Sequence, residues 1–259
     1  MVREGGCQGC RRPGRDFGLA MAFQPILDVD TGLPFAFEAL VRGAQGEGAA
    51  EVLARVTEEN RYAFDQQCRV AAIEGAVEAG ILETGARLSI NFLPNAVYEP
   101  RACIQLTLKT AQATGFPTDR LIFEFTENER MADTDHVGRI IESYRRMGFS
   151  TALDDFGAGH AGLGLLAKFQ TDLIKLDMEL IRGIDASLPR RMIVAGVVRM
   201  AESLGIVVIA EGIETVGEHE ALRALGVRLQ QGYLFARPGF RSLPIAARPA
   251  RDLSLLRAA

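Results

Sequence analysis

The sequence predicts an α/β fold in which eight strands and their intervening helices close into a barrel. Three observations support this prediction. Short apolar runs alternate with helical segments at the spacing of a strand plus a returning helix, about 20–35 residues. Most of these runs end on a carboxylate or amide side chain. The length of 259 residues fits one large barrel more naturally than two small domains.

The chain opens with two strand-like runs around the turn Asp30-Thr31-Gly32, which predicts an antiparallel hairpin that a regular (β/α)₈ barrel lacks. Alternation and apolar character predict a strand at 20–29 and a second strand after the turn that ends at Glu38. Further strands are predicted at 88–92, 121–125, 151–154, 173–176, 206–210 and 229–234. Helical periodicity predicts helices at 49–59, 61–79, 102–114, 134–147, 189–204 and 214–225. A glycine-rich loop is expected at 156–164. We expect a flexible tail at 1–17, the folded domain at 18–248 and a second tail at 249–259.

Composition excludes several classes of protein. The apolar share of 48% and the charged share of 24% are ordinary for a globular protein. A net charge of −4 and a pI near 5.6 argue against a protein that binds a nucleic acid polymer through the electrostatic field of its whole surface. The sequence has no apolar stretch of the ~20 residues that a membrane helix needs, and residues 1–15 do not resemble a secretory signal. We therefore expect a cytoplasmic protein with no membrane partner.

Cysteine and histidine give little evidence of a metal site. Cys7 and Cys10 form one Cys-x-x-Cys pair, which without a second pair predicts free thiols rather than zinc. His136, His160 and His219 are scattered in polar contexts, where surface positions are expected. The sequence therefore supports neither a histidine-rich metal site nor a histidine-based triad.

Carboxylate and amide residues at the ends of the apolar runs predict a metal site. The carboxylates are Glu38, Glu124, Asp154, Asp155, Asp177 and Glu211, and the amides are Asn91 and Gln231. Parallel strands direct their carboxyl ends to one mouth of a barrel, so these side chains are expected to meet there. Many carboxylates in one place repel each other unless cations are present. The pattern therefore predicts a divalent-metal site.

Some of these residues have alternative interpretations. The pair Asp154-Asp155 suits two ions roughly 3.5–4 Å apart that share a bridging ligand, but it is also a frequent helix cap. Asn91 is either a turn residue or a neutral oxygen ligand suited to Mg²⁺ or Mn²⁺. Lys175 either pairs with Asp177 on the same strand face, or orients an attacking water and stabilises the transition state. The other run-end carboxylates favour metal binding by the pair.

The tripeptide Glu38-Ala39-Leu40, followed by Arg42, resembles the signature of the EAL domain family of cyclic di-GMP phosphodiesterases. Further blocks resemble that family in the same order: Phe23-Gln24-Pro25-Ile26, Asn91, Glu124-Phe125-Thr126-Glu127, Asp154-Asp155-Phe156-Gly157, Lys175-Leu176-Asp177, Ala210-Glu211-Gly212-Ile213-Glu214 and Gln231-Gly232-Tyr233. The resemblance covers about residues 18–245. It implies a TIM-like (β/α)₈ barrel with one antiparallel strand, which agrees with the predicted hairpin.

The resemblance also implies roles for individual residues. One Mg²⁺ or Mn²⁺ ion would be bound by Glu38, Asn91, Glu124 and Asp154, and a second by Asp154, Asp155 and Glu211. Lys175 and Gln231 would hold the catalytic water and would form the catalytic set with Glu38. Gln24, Leu40 and Arg42 would contact cyclic di-GMP, Arg42 through a phosphate. Glu127 would brace the glycine-rich loop.

Three functions are compatible with these residues. The leading hypothesis is a metal-dependent phosphodiesterase that hydrolyses cyclic di-GMP to linear pGpG. The alternatives are a non-catalytic EAL module, acting as a cyclic di-GMP receptor or protein-binding regulator, and an unrelated metal-dependent TIM-barrel lyase or phosphatase. The Gln24 and Arg42 blocks disfavour the last, and the complete ligand set favours catalysis. We also expect a homodimer, formed near the glycine-rich loop and residues 163–169, where apolar residues are expected to be exposed. A sensor domain or regulatory protein is expected as a further partner.

Overall fold

The computed structural model describes residues 16–126, 134–159 and 162–247. Its strands are β1 (Leu19–Asp28), β2 (Leu33–Gly43), β3 (Arg87–Asn91), β4 (Leu121–Thr126), β5 (Ser150–Phe156), β6 (Leu173–Leu176), β7 (Val207–Ala210), β8 (Leu229–Gln230) and β9 (Gly239–Phe240). Its helices are α1 (Ala49–Leu53), α2 (Arg61–Glu78), α3 (Ile81–Thr84), α4 (Pro100–Cys103), α5 (Gln105–Thr114), α6 (Thr134–Arg146), α7 (Gly162–Lys168), α8 (Met178–Ile181), α9 (Leu188–Leu204) and α10 (Val216–Ala224). Two short 3₁₀ helices lie at Pro94–Ala96 and Thr118–Arg120.

The strands form a closed barrel. Strands β2 to β8 lie side by side in chain order, and β1 pairs antiparallel with both β2 and β8. Strand β9 is an extra strand that pairs with β1. The hairpin turns at Gly32, whose φ of 67° lies in the left-handed region that glycine adopts readily. The predicted barrel with one antiparallel strand is therefore confirmed.

Apolar side chains pack on both sides of the strands. Because successive residues of a strand point to opposite faces, alternate residues face the helices or the barrel axis. The outer cluster includes Leu88 and Ile90 of β3, packed with the helices. A smaller cluster fills the barrel axis with Ile26, Ala36, Ile122, Ala152, Leu173, Ile209 and Leu229. This second cluster closes the amino-terminal end of the parallel strands and forms a floor beneath the mouth.

The predicted ends of two strands are wrong. Strand β2 continues past Glu38 to Gly43, because β1 supplies backbone partners along the whole of it. The last barrel strand ends at Gln230 rather than at residue 234. The chain turns away there, and Gly232 packs so closely that a Cβ would lie 2.0 Å from the carbonyl oxygen of Ile213. The predicted helix 102–114 is also divided, at Ile104, into α4 and α5.

Two residues expected at the surface or in a tail are buried. Phe17 packs edge-on against Phe64 with ring centroids 5.2 Å apart, so the folded domain includes this residue of the predicted tail. His219 is buried, and its Nδ1 lies 2.7 Å from Oε1 of Gln230. Cys7, Cys10 and the rest of the two predicted tails, apart from Asp16 and Phe17, lie outside the described residues. None of the described helices has both the length and the apolar character needed to cross a bilayer.

Candidate active site

Polar side chains form a second inward-facing layer above the apolar floor. Each follows a floor residue by two positions: Glu38 after Ala36, Glu124 after Ile122, Asp154 after Ala152, Lys175 after Leu173, Glu211 after Ile209 and Gln231 after Leu229. Residues two apart on a strand share a face, which directs the first four to the mouth. Glu211 and Gln231 lie one residue beyond β7 and β8, where backbone hydrogen bonds to Leu176 and Ala210 continue the pairing and bring them to the same mouth. Gln24 precedes its floor residue, Ile26, because β1 runs in the opposite direction. Asn91 joins the layer opposite Glu124 in the parallel register of β3 and β4.

The ammonium group of Lys175 lies among four carboxylates. Its Nζ is 2.6 Å from Oε1 of Glu211 and 2.8 Å from Oε2 of Glu124. Asp154 Oδ1 follows at 3.3 Å and Glu38 Oε2 at 3.5 Å. If all five groups are ionised, four negative charges face one positive charge. This site therefore has an excess of negative charge in a largely buried environment.

The simple Lys175–Asp177 pair that the sequence left open is not formed. Asp177 instead caps α8, where its Oδ1 accepts a hydrogen bond from the Glu179 backbone at 2.7 Å. Lys175 is directed toward the mouth, where the carboxylates of the neighbouring strands are its partners. Its charge is therefore available to the site.

Burial and mutual repulsion change the acidity of these groups. Burial, opposed by Lys175 and assisted by the charges of Glu38 and Asp154, raises the pKa of Glu124 to about 8. Burial likewise raises the pKa of Glu211 well above its usual value. Burial alone would lower the pKa of Lys175, but the surrounding carboxylates raise it well above the usual value. Lys175 therefore stays protonated, while two of its partners tend to take up protons when cations are absent.

Asp155 adopts an unusual backbone conformation directly after Asp154. Its φ of 55° lies in the left-handed region, which is uncommon for a residue other than glycine. Its backbone N–H donates to Oδ1 of Asp154 at 2.9 Å. Burial, followed by the charges of Asp154 and Asp177, raises the pKa of Asp155 to about 6. The strained backbone thus places a second carboxylate close to the first.

Amide side chains fix the orientation of Glu38. Asn91 Nδ2 donates to Oε1 of Glu38 at 3.1 Å, and Gln231 Nε2 donates to Oε2 at 2.8 Å. Gln231 Nε2 also lies 3.2 Å from Oε1 of Gln24, whose own amide donates to the Ala236 carbonyl at 3.1 Å. Both oxygens of Glu38 are therefore held by neighbouring strands before any ligand arrives.

The residues present fit divalent cations. Glu38, Glu124 and Asp154 each offer a carboxylate oxygen, and these atoms all lie within 4.8 Å of one another. Carboxylate and amide oxygens are hard ligands of the kind that Mg²⁺ and Mn²⁺ accept. The buried Oε1 of Gln231 has no hydrogen-bond partner among the described residues, and such an atom needs a water or another ligand. Negative charge, ligand type and this oxygen agree with a cation site that also holds water.

Ser89 is a member of the site that the sequence analysis missed. Its hydroxyl group makes a close hydrogen bond to Oε1 of Glu124, while Lys175 contacts Oε2. The signal was present, because Ser89 lies two residues before Asn91 and so faces the barrel axis. A single serine in a short strand is not distinctive without the register of the neighbouring strand.

Two of the three residues implied to contact substrate lie further along β2, whereas Gln24 lies on β1. Leu40 and Arg42 follow Glu38 at spacings of two, which places the three on one face of the strand. Arg42 is half-buried and donates from Nη1 to the Val41 carbonyl at 2.7 Å. Among the described residues no carboxylate pairs with Arg42, so its guanidinium keeps donors for an anion. Glu127, implied to brace the glycine-rich loop, lies outside the described residues, as does His160 within that loop.

Comparison with known proteins gives consistent results. The EAL domain family matches residues 14–238. The chain is 33% identical over 231 residues to the blue light- and temperature-regulated antirepressor BluF of Escherichia coli K12. This alignment covers 89% of this chain and 57% of BluF. It is 31% identical over 247 residues to the cyclic di-GMP phosphodiesterase NbdA of Pseudomonas aeruginosa, covering 92% of this chain and 30% of NbdA. The chain therefore spans only part of these two relatives.

Solved structures show the same fold with bound nucleotide. A standalone versatile EAL protein from Vibrio cholerae O395, in its c-di-GMP-bound form, is 49% identical with a TM-score of 0.87, covering 91% of this chain and 98% of that one. BlrP1 of Klebsiella pneumoniae, in a manganese and cyclic di-GMP complex, is 38% identical with a TM-score of 0.80, covering 89% and 58%. With the barrel, the acidic mouth and the family match in agreement, the chain belongs to the EAL domain family.

Proposed function

We propose that this chain is a metal-dependent phosphodiesterase that hydrolyses cyclic di-GMP to linear pGpG. The observation that carries the proposal is the arrangement of four carboxylates around the buried Lys175 ammonium. A structural ion pair needs one carboxylate, whereas this site has an excess that becomes favourable only with further cations. Relatives named as cyclic di-GMP phosphodiesterases, such as NbdA, support the substrate class.

Two divalent cations, Mg²⁺ or Mn²⁺, would be held at the mouth of the barrel. The ligands of the first would be Glu38, Asn91, Glu124 and Asp154, and those of the second Asp154, Asp155 and Glu211. Cations bound there would polarise the phosphate and lower the pKa of water. The fixed carboxylate of Glu38 and the left-handed backbone of Asp155 support this assignment, because both place oxygens at the mouth without further rearrangement.

Lys175 and Gln231 would position the attacking water. The Oε1 atom of Gln231, which has no partner among the described residues, can accept a hydrogen bond from that water, while Nε2 already donates to Glu38. The Lys175 ammonium would stabilise the negative charge that develops on the phosphate oxygens. Hydrolysis forms one bond between the water oxygen and phosphorus and breaks the bond from phosphorus to the ribose 3′ oxygen, which leaves with a proton.

Gln24, Leu40 and Arg42 would bind the nucleotide beside the cations. Arg42 supplies a planar, permanently charged group, which suits a phosphate. Leu40 shares the face of β2 that carries Glu38, so an apolar contact with a base would lie next to the reacting phosphate. Gln24 is buried and bonded to Gln231, which connects the nucleotide contact to the water site.

A non-catalytic receptor is the second candidate, because BluF, one of the relatives, is named as an antirepressor rather than as a hydrolase. The two functions predict different products. Purified protein would be stripped of metal, supplied with Mg²⁺ and cyclic di-GMP, and analysed by chromatography for pGpG, with Glu38→Gln as a matched variant. A phosphodiesterase forms pGpG and the variant does not. Binding of cyclic di-GMP without product in the wild type would favour the receptor.

We also propose a cytoplasmic homodimer that responds to a sensor domain or regulatory protein. Of the apolar residues expected to be exposed at 163–169, Leu163 is exposed, whereas Leu165, Leu166 and Phe169 are buried. The regulated relative named above, BluF, supports a sensory input. Light scattering at tens of micromolar would test the dimer, and a fully active monomer would contradict it.

A further inference from the structure

An ion pair is completely buried behind the candidate metal site, on the helix side of the barrel wall. Arg69 Nη2 of α2 contacts Oδ2 of Asp65 at 2.8 Å, and both side chains are at most 1% exposed. Arg69 Nη1 donates to the hydroxyl of Tyr144 on α6 at 2.9 Å. Burying two charges is costly, and the Nε atom of Arg69 has no hydrogen-bond partner among the described residues. Stability alone therefore gives a poor explanation of this pair.

The pair holds the chain directly after Asn91. Arg69 contacts one carboxylate oxygen of Asp65, and the other oxygen, Oδ1, accepts a hydrogen bond from the backbone N–H of Leu93 at 2.9 Å. The guanidinium of Arg69 lies 5.4 Å from the ring centroid of Phe92, between Asn91 and Leu93. It also lies 5.3 Å from the ring of Phe123, which directly precedes Glu124. The Asp65–Arg69 pair thus contacts the ends of two strands, β3 and β4, that carry candidate ligands.

On the side of β4 this turn is held by the packing of Phe92 against Phe123 and Phe125 and by the hydrogen bond from its N–H to the Glu124 carbonyl at 2.9 Å, but the side toward α1 and α2 is less well packed. A largely apolar cavity of about 320 Å³ lies between α1, α2 and the strand ends, and Asn91, Phe92, Leu93 and Asp65 are among its lining residues. Side chains beside a void lose the close contacts that would otherwise hold them in place. The hydrogen bond from Leu93 to Asp65 therefore provides a restraint that the neighbouring apolar side chains do not.

We propose that Asp65 is a positioning residue that, through the hydrogen bond from Leu93 to its Oδ1, holds the Asn91–Leu93 turn in the conformation that binds metal. The inference rests on the proposed function, because it assumes a cation at Asn91. Asn91 donates to Glu38, so a displaced turn would disturb two ligands at once. Partners behind metal ligands typically change metal affinity by about 10–100-fold when they are removed.

Two double variants separate the acceptor from the charge. Asp65→Asn/Arg69→Met removes both charges but keeps an oxygen for the Leu93 N–H, whereas Asp65→Leu/Arg69→Met removes the oxygen as well. Neither leaves a buried charge without a partner. Mn²⁺ affinity would be measured by calorimetry, together with the melting temperature. We expect the Asn variant to bind Mn²⁺ within about threefold of the wild type and the Leu variant to bind at least about tenfold more weakly.

Each result has a distinct meaning. Equal Mn²⁺ affinity of wild type and both variants would overturn this inference and leave the proposed function intact, as would equal weakening of both variants. Failure of the wild type to bind Mn²⁺ would overturn the metal site itself, and the inference with it. If the Leu variant does not fold, hydrogen exchange at residues 91–97 of the wild type replaces it. Slower exchange in saturating Mg²⁺ supports the coupling, and an unchanged rate overturns it.

Discussion

Replacing Lys175 by methionine tests the electrostatic design of the site. The change keeps a long side chain but removes the positive charge that faces Glu211, Glu124, Asp154 and Glu38 at 2.6–3.5 Å. Removing one partner of a buried ion pair typically costs about 3–5 kcal/mol. A change of 1 kcal/mol shifts the melting temperature by about 2–4 °C in a domain of this size. The metal-free variant should therefore melt roughly 6–20 °C below the wild type.

The pH and the presence of Mg²⁺ separate the effect of the lost charge on stability from its effect on hydrolysis. Because the raised pKa values let Glu124 and Glu211 take up protons, the loss of stability should be smaller at pH 6 than at pH 8.5. Saturating Mg²⁺ should recover part of the loss, since cations replace the missing charge. Hydrolysis in Mg²⁺ should nevertheless fall about 10²–10³-fold, the usual cost of one group that stabilises developing charge.

The control variant is Lys109→Met. Lys109 is exposed on α5, away from the mouth of the barrel, and forms no ion pair within the described part of the chain. Calorimetry in EDTA and in Mg²⁺, with an assay for pGpG, would be applied to both variants. If Lys175→Met melted within about 2 °C of the wild type in EDTA and kept its activity within about threefold, the central role of this ammonium would be refuted.

Three further predictions concern the same site. Glu38→Ala should abolish hydrolysis but keep the far-ultraviolet circular dichroism spectrum, because a side chain at the mouth contributes little to the core; near wild-type turnover would contradict this. Calcium should bind without supporting turnover, because its longer and looser ligand shell suits the chemistry less well than that of Mg²⁺; equal rates after metal stripping and re-addition would contradict this. In EDTA the free energy of unfolding, measured with urea, should fall as the pH rises from about 4.5 to about 8, because Glu124 in the folded protein keeps a proton that it releases in the unfolded chain. A free energy of unfolding that rises over that range would contradict this.

The periodicity of the sequence predicted much of the fold, because every strand of the barrel has an interior face. The turn at Gly32 was sufficient to predict the antiparallel hairpin. The end of β2 was not predictable from its own residues, because Glu38 looked like a terminus. What extends that strand is pairing with β1, which depends on two segments together. Strand β8 is instead shorter than its sequence pattern predicts, because the close contact between Gly232 and Ile213 turns the chain away after Gln230.

The candidate site was predictable to a similar degree. Its candidate ligands could be named because charged and amide residues stand out in apolar runs. Ser89 and Asp65 could not, because neither has an unusual neighbourhood in the sequence. The role of Ser89 depends on the register of β3 and β4, and that of Asp65 on the docking of α2 against the turn after Asn91. Such contacts arise from packing between distant segments, which local patterns do not specify.

Hydrolysis in water enriched in ¹⁸O tests the central claim most directly. The purified chain would be stripped of metal, supplied with Mg²⁺ and cyclic di-GMP, and its product analysed by mass spectrometry. The proposed reaction predicts linear pGpG with one heavy oxygen, on the terminal phosphate, and no product when EDTA replaces Mg²⁺. Recovery of intact cyclic di-GMP, although both the nucleotide and Mg²⁺ bind, would contradict it.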